Sequence, residues 1–430
     1  MAKDPSLHEV DVRGIGSGGV GIGTLPDGRV IFLPRTAPGD RVAARAVTEK
    51  SRWARGEVVE ILQEGPGRRT PPCPRYSACD GCSLQHLAYE EQLRWKGRIA
   101  GDALRRIGGL EVADPAVEAS PGELRYRNRM TFTLRRLPGD RVVAGLRELG
   151  RVGRILDVGG ECLLPSEELS RIWVDLRRGW GPGARLLPEG RELRLTLRQG
   201  EEGAVLLVKG GWGEGHPEAL LEAVPGLRSV WRALEDGSHR HLVGDPFLRT
   251  RWLGEELELP GGGFLQVNTS GGEALHRYVL QEAGPVKDRQ VVDAYCGVGI
   301  LGRALARAGA RVTGIEADPE AVAAAATGAP AGFRAVVGRV EDLLEAHLPA
   351  FLLILNPPRA GLGSAVPAQL HTRGAERIVY ISCDPATLAR DLARLTSAYS
   401  ISGVHCFDLF PQTGHVETVT TLIRKEGESP

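Results

Sequence analysis

Apolar positions follow three different rhythms along the chain. Up to about residue 64 they come in short pieces, Val30-Ile31-Phe32-Leu33, Val42-Ala43-Ala44 and Val58-Val59-Glu60-Ile61-Leu62, divided by the turn pairs Asp27-Gly28 and Pro38-Gly39. Closely spaced short strands of this kind predict a small five-stranded β-barrel over 1–64. Between 65 and 262 the rhythm is mixed. A helical segment over 84–118 carries Tyr89, Leu93, Ile99 and Leu104 on one face and is expected to pack on the C-terminal domain. Period-two alternation from Leu124, at Leu193–Leu197 and at Ala204–Val208 predicts a sheet-rich central domain. From 263 to 430 buried strands alternate with helices: Val291–Ala294, Arg311–Glu316, Leu352–Leu355 and Ile378–Ile381, with helices at Ile300–Ala308 and through Leu388, Leu392 and Leu395. That alternation predicts βαβ units, hence a doubly wound, Rossmann-like α/β domain.

Composition agrees with a multidomain globular chain. Its 430 residues are 42% hydrophobic and 25% charged, which excludes disordered and fibrous classes. No apolar run approaches the ~20 residues that span a bilayer, and Met1–Ser6 forms no apolar leader, so a cytoplasmic protein without membrane contact, acting as a monomer, is expected. The formal net charge is zero. A polyanion partner therefore has to be met locally, and Arg125, Arg127 and Arg129, spaced to project from one strand face, are the densest basic stretch. Phosphate contact and a plain solvated strand face are both open for them.

The seven cysteines are an odd number, which in a reducing compartment favours catalysis or metal binding over disulfides. Cys73, Cys79 and Cys82 lie within ten residues of one another, and Cys162 is the free candidate for a fourth ligand. Four thiolates suit zinc or an iron–sulfur centre; three clustered cysteines with one remote fit a [4Fe–4S] cube better than a zinc ribbon, and a merely reduced loop is the third alternative.

In the last third, Asp293-Ala-Tyr-Cys-Gly-Val-Gly joins a strand to a helix, and Glu316 ends the next strand. Gly297 and Gly299 lack the third glycine of a dinucleotide fingerprint, which argues for S-adenosylmethionine over NAD. Glu316 is then placed for the ribose hydroxyls and Asp342 for the adenine amino group. Asn356-Pro-Pro makes a rigid wall after the following strand. Cys383 sits where a strand hands over to a helix capped by Asp384, so its thiol pKa is expected to fall; a buried, inert cysteine is the alternative.

These motifs together resemble the RNA uracil-C5 methyltransferase family, in particular its iron–sulfur subgroup that carries an N-terminal TRAM domain, an RNA-binding barrel of the oligonucleotide-binding type. The likeness rests on Cys73/Cys79/Cys82 with Cys162, Phe264-Leu-Gln-Val-Asn, Asp293-Ala-Tyr-Cys-Gly-Val-Gly, Ser382-Cys-Asp-Pro-Ala-Thr-Leu-Ala-Arg-Asp and Phe410-Pro-Gln-Thr-Gly-His-Val-Glu. It implies methylation of 23S ribosomal RNA, with tRNA as the alternative substrate. By the same likeness Cys383 is the nucleophile and Glu417 the base, ahead of His415, while Gln266, Tyr295, Glu316 and Asn356 line the methyl-donor site. Two positions depart from the family pattern: Asn356 stands where it has Asp, and Ile300 where it often has Asn.

Two rival readings exist. An exocyclic-amine methyltransferase would use Asn356-Pro-Pro to grip an amine, but Arg359 replaces its aromatic residue and Cys383 and Glu417 would have no task. A non-catalytic RNA-binding iron–sulfur protein would need neither residue.

Overall fold

Six of the N-terminal strands pair into one sheet, in the order Leu7–Asp11, Arg41–Glu49, Trp53–Gln63, Val30–Pro34, Val20–Thr24 and Gly14–Gly16, in a computed structural model that describes residues 7–425. The sequence pattern predicts five. The additional strand is Leu7–Asp11, whose single buried residue, Val10, is too sparse a signal to read as alternation; backbone pairing with Arg41–Arg45 holds it. Val10, Ile31, Leu33, Val42, Ala44 and Ala54 fill the interior of this module. The reading of Met1–Ser6 lies outside the described residues.

The segment 84–118 departs from a continuous helix. Its helix spans Tyr89–Arg106. Before it, Leu84–Leu87 close a turn whose backbone amides are already committed elsewhere, and Leu84 and Leu87 bury against Ile15 and Trp95. After it, Gly109 takes φ 64° and Pro115 lacks a donor, so the chain runs on as coil until the short strand Val117–Glu118.

A central seven-stranded sheet follows, ordered Ile155–Asp157, Arg141–Arg147, Arg129–Leu137, Glu192–Gln199, Ala204–Lys209, Leu227–Ala233 and His239–Gly244. The helix Glu167–Gly179 covers one face, with Trp173 stacked on Phe132 at 3.8 Å. The basic strand face expected of Arg125, Arg127 and Arg129 is not formed, because the strand begins only at Arg129. Residues 125–128 instead pair irregularly with the chain near Leu163–Ser166, and Arg125 takes φ 58° and turns its guanidinium onto the Cys162 carbonyl at 2.8 Å and Ser170 Oγ at 3.0 Å.

The C-terminal sheet has eight strands: Phe333–Val337, Arg311–Glu316, Gln290–Ala294, Leu352–Leu355, Arg377–Ser382, Glu417–Arg424, Tyr399–Phe407 and Val117–Glu118. The first five are parallel, and the next two join antiparallel. Strand order reverses between Gln290–Ala294 and Leu352–Leu355, which opens a crevice at the carboxyl ends of these strands. Two apolar cores, one on each face, bury Leu353, Leu355, Tyr380, Leu388 and Leu392 on one side and Val291, Leu352, Ile354 and Ile381 on the other. Among the described residues no helix is long and apolar enough to cross a membrane.

The helix Tyr89–Arg106 is fastened to this last unit by an ion pair: Lys96 Nζ lies 2.5 Å from Asp408 Oδ1 and both side chains are fully buried. Burial draws the Lys96 pKa down and the Asp408 charge opposes that. Removing one partner strands the other charge in an apolar setting, at a cost of about 3–5 kcal/mol. Lys96→Met should therefore lower the unfolding free energy by that order in urea titration, and adding Asp408→Leu should recover most of it.

Candidate active site

Four loops meet at the carboxyl ends of the parallel strands. The first, Tyr295–Gly299, turns sharply: Tyr295, Gly297 and Gly299 all take positive φ, at 61°, 55° and 76°. Glycine is needed at Gly299, where a Cβ would press on the Phe333 ring at 2.8 Å, whereas one at Gly297 would meet only open space. The second contains Asn356, whose amide reaches the Ala294 carbonyl at 3.4 Å. The third is the approach from the central domain, Phe264–Gln266, which leads into the helix Thr269–Ala283 capped by Asn268 Oδ1. Together they line an open pocket with about 480 Å³ of empty space, walled by Phe264, Gln266, Asp293, Tyr295, Gly297 and Asn356. Larger hollows lie beside the hairpin Phe247–Pro260 and at the opposite end of the sheet, and none of them contains a cysteine.

Polar groups around the pocket are arranged rather than loose. Glu316 accepts from the Gly297 amide at 3.0 Å and from Ala317 and Asp318 at 2.7 and 3.0 Å, so its carboxylate stands directly against the glycine turn. Asp293 is buried, accepts from the Gly302 amide at 2.8 Å, and burial lifts its pKa to about 7. The Tyr295 hydroxyl donates to Glu341 at 3.3 Å. Asp342 behaves differently from Glu316: it is exposed, lies in the short helix Val340–Leu343, and is not among the pocket's lining residues.

The fourth loop begins at Cys383. Strands Arg377–Ser382 and Glu417–Arg424 pair antiparallel with Ser382 opposite Thr418. Cys383 and Glu417, 34 positions apart in sequence, flank this last pair, and the Glu417 charge acts on the Cys383 thiol. Glu417 is buried at 4% exposure, and burial raises its pKa from 4.5 to about 7, opposed by the Arg359 cation. The Cys383 thiol is also raised, first by burial and then by the Glu417 charge, while Arg359 pulls it down by charge and hydrogen bonding. The lowered thiol pKa expected from the helix N-terminus is therefore overturned. Asp384 Oδ1 takes the Ala386 and Thr387 amides itself at 3.0 Å, so the first-turn donors that would have favoured a thiolate are already occupied.

Arg359 is the group that sequence reasoning missed, having been weighed only as a departure from an aromatic. It faces both Cys383 and Glu417, and its Nη2 lies 3.5 Å from Nδ1 of the exposed His415. Asp391, fully buried, holds the Arg359 loop in place by accepting from the Leu362 amide and the Tyr380 hydroxyl, both at 2.8 Å. The signal was available in the acidic residue that closes the Ser382–Asp391 motif on the inner face of its helix.

The cysteine loop lies apart from this pocket, against the barrel and the central sheet. Cys73, Cys79, Cys82 and Cys162 are brought into one neighbourhood: the charge of Cys162 acts on Cys82, and those of Cys73 and Cys79 act on Cys162. Burial pushes Cys82 up to about 12 and Cys162 up to about 11. Arg75 pairs with Glu161 at 2.9 Å beside them. No group of three or more His, Cys, Asp or Glu among the described residues is placed to hold a metal ion. Nearby, Arg127 lies over the rings of Tyr126 and Phe410 at 5.7 and 5.9 Å, and Arg129 is half-buried.

Comparison with known proteins identifies two regions of the chain. The TRAM domain matches residues 6–59 and the family described as tRNA (Uracil-5-)-methyltransferase matches residues 338–425. Proteins described as uncharacterized RNA methyltransferases from Thermosynechococcus vestitus and Gloeobacter violaceus are 32% and 34% identical, each over 96% of this chain and 97% and 96% of their own. One from Streptomyces coelicolor is 34% identical over 96% of this chain and 92% of its own. The fold matches that of Pyrococcus abyssi tRNA (uracil-54, C5)-methyltransferase in complex with S-adenosyl-L-homocysteine, with a TM-score of 0.76 and 24% identity over 96% of this chain and all of that one. On this near-complete likeness to RNA methyltransferases, and on a TRAM domain and a uracil-5-methyltransferase segment in one chain, the chain belongs to the TRAM-containing RNA uracil-5-methyltransferase family.

Proposed function

We propose that this S-adenosylmethionine-dependent RNA methyltransferase acts on carbon 5 of a uridine through a transient bond between Cys383 and carbon 6. The observation that carries the reading is that a thiol and a buried carboxyl flank the end of one antiparallel ladder, close enough for the carboxylate charge to act on the thiol. Carbon 5 of uracil is too weak a nucleophile to take a methyl group unaided. When Cys383, having lost its thiol proton to solvent, adds to carbon 6 as the thiolate, the ring's π electrons move toward O4 and carbon 5 becomes nucleophilic. S-adenosylmethionine, when bound, would supply an electrophilic methyl group on a sulfonium: carbon 5 bonds to that methyl as its bond to sulfur breaks, and the neutral thioether is the leaving group. Glu417 then accepts the proton from carbon 5, the released electron pair restores the C5–C6 double bond, and the thiolate leaves.

The pocket's residues fit the donor. Glu316 is held against the glycine turn, as a ribose-binding carboxylate would be, and the open side of Gly297 leaves room for the methionine portion. Asn356 and Gln266 contribute uncharged polar groups to the wall, and Asp342 would reach an adenine only at its exposed edge. Arg359 offsets part of the burial that holds the Cys383 thiol protonated, which makes it the activating cation of the site.

The cysteine set favours a [4Fe–4S] cluster in a structural role. A zinc ion with Zn–S of about 2.3 Å draws its ligand sulfurs to within roughly 4 Å of each other, whereas a cube holds them farther apart. The support for the larger centre is the spacing of the set, three cysteines within ten residues and a fourth, Cys162, remote in sequence yet near enough for its charge to act on Cys82. This set and the resemblance built on it favour 23S ribosomal RNA as substrate. Transfer RNA is the second reading, favoured by the description of the family that matches residues 338–425. Arg127 and Arg129 are the basic groups left to meet the RNA. Mapping 5-methyluridine in ribosomal and transfer RNA from cells with and without this protein decides between them.

Cys383→Ala should abolish 5-methyluridine formation and the covalent adduct with 5-fluorouridine RNA; turnover at the parental rate would refute the covalent route. Glu417→Gln should accumulate the adduct on ordinary RNA, and in the parent the release step should quicken as pH rises through about 7, where Glu417 ionises. The same carboxyl ionises near 4.5 once unfolded, so its contribution to stability is present below that value and lost as pH rises through 7, by roughly 3 kcal/mol. Glu417→Gln should accordingly be more stable than the parent at pH 8, with the difference closing at pH 4.5, as read by denaturant titration. Cys162→Ser should lose bound iron and RNA affinity together, and a colourless variant of full affinity would remove the cluster's proposed role.

A further inference from the structure

The strand that begins at Glu417 starts at the end of the loop Asp408–Val416, and that loop is held from outside as well as by its own short-range turns at Phe410 and Thr413. Its midpoint is gripped by two distant segments. The amides of Ser83 and Leu84 both donate to the Gln412 carbonyl, at 3.0 and 2.9 Å, and Gly414 donates to Ser83 Oγ at 3.0 Å. Ser83 directly follows Cys82. From the other side, Gly18 of the barrel forms a backbone bridge with Gly414, and a side chain added at Gly414 would run into the Gly18 and Gly19 backbone.

Gln412 completes the junction. It is fully buried with φ 71°, and its side-chain oxygen accepts from Arg69 and Gln92, both at 3.0 Å, while its amide nitrogen donates to Glu123 at 3.2 Å. A non-glycine residue held in that backbone region costs on the order of 1–3 kcal/mol and persists only where surrounding bonds over-determine it. The cysteine loop, the barrel and the linker therefore converge on two residues of the segment that leads into Glu417, Gln412 and Gly414. By contrast, the Arg359 loop is held mainly through Asp391 and the helix Pro385–Leu395, with a contact to the loop Asp408–Val416 at His415, whose Nδ1 lies 3.5 Å from Arg359 Nη2.

We infer that Ser83 and Gly414 are positioning residues for proton removal by Glu417: the cysteine loop and the barrel act on the reaction by fixing the base rather than the nucleophile. The inference rests on the covalent reading above. Sulfur addition and methyl transfer use groups on the Asp391 side, so loosening the junction leaves them intact. The carbon-5 proton then stays in place, the C6–S bond does not break, and enzyme and RNA remain joined.

Ser83→Ala deletes the acceptor for Gly414, and Gly414→Ala forces a methyl group against the barrel. Single-turnover and steady-state assays on unmodified RNA should show kcat reduced on the order of 10- to 100-fold, the range a displacement of about 1 Å produces. kcat/KM for RNA should change by less than about twofold, with KM falling alongside kcat, and the protein–RNA adduct on denaturing gels should rise from a minor to the dominant species. Should Gly414→Ala fail to fold, Ser83→Ala carries the test. A fall in kcat without adduct, or parental kcat in both variants, overturns the inference. Absence of an adduct between the parent protein and 5-fluorouridine RNA would instead remove the covalent reading itself.

Discussion

A hydrogen-bond ladder brings the Cys383 sulfur and the Glu417 carboxyl to the same end of the C-terminal sheet in this protein. Strands Arg377–Ser382 and Glu417–Arg424 pair without a break, so residues flanking the ladder emerge at one end of it. The ladder is interior, with every residue from Ile378 to Ser382 and from Glu417 to Leu422 buried, and this interior position is also what perturbs the two groups. Both are pushed toward their neutral forms, and Arg359, near the mouth of the site, is the cation that offsets this. The chemistry and its tuning thus come from one piece of architecture.

Around that ladder the other two units act as supports. The helix Tyr89–Arg106 brings Lys96 beneath Asp408, the Tyr126 hydroxyl donates to the Pro411 carbonyl at 3.0 Å, and Asn268 donates to the Leu409 carbonyl at 3.2 Å. The segment Asp408–Gly414 is therefore a meeting place for the whole chain, which accounts for the dense run of unusual residues there, Phe410-Pro-Gln-Thr-Gly. Such a segment reads as a loop from composition. Its role follows from what surrounds it.

Much of the C-terminal unit was legible because parallel strands buried on both faces are written as unbroken apolar runs; Leu352–Leu355 and Arg311–Glu316 begin and end as their patterns predict. The short N-terminal strand and the true start of the helix at Tyr89 were not, because backbone pairing and long-range hydrogen bonds decide them. The arginines failed for a related reason: period two in Arg125, Arg127 and Arg129 mimics a strand, but a positive φ at Arg125 breaks the period and carbonyls capture its charge. The thiol pKa was misjudged because a helix terminus was credited with donors that its own cap had consumed.

The strand Val117–Glu118 closes the far edge of the catalytic sheet by pairing with Cys406 and Phe407. During synthesis this edge piece emerges about 290 residues before its partner, and at roughly 5–20 residues per second a growing chain carries it unmatched for on the order of 15–60 s. The helix beside it must wait equally long for Asp408 to neutralise Lys96. The nascent protein thus leaves the ribosome with its barrel and central sheet able to form, while the unit that holds Cys383 and Glu417 is completed only with the last strand.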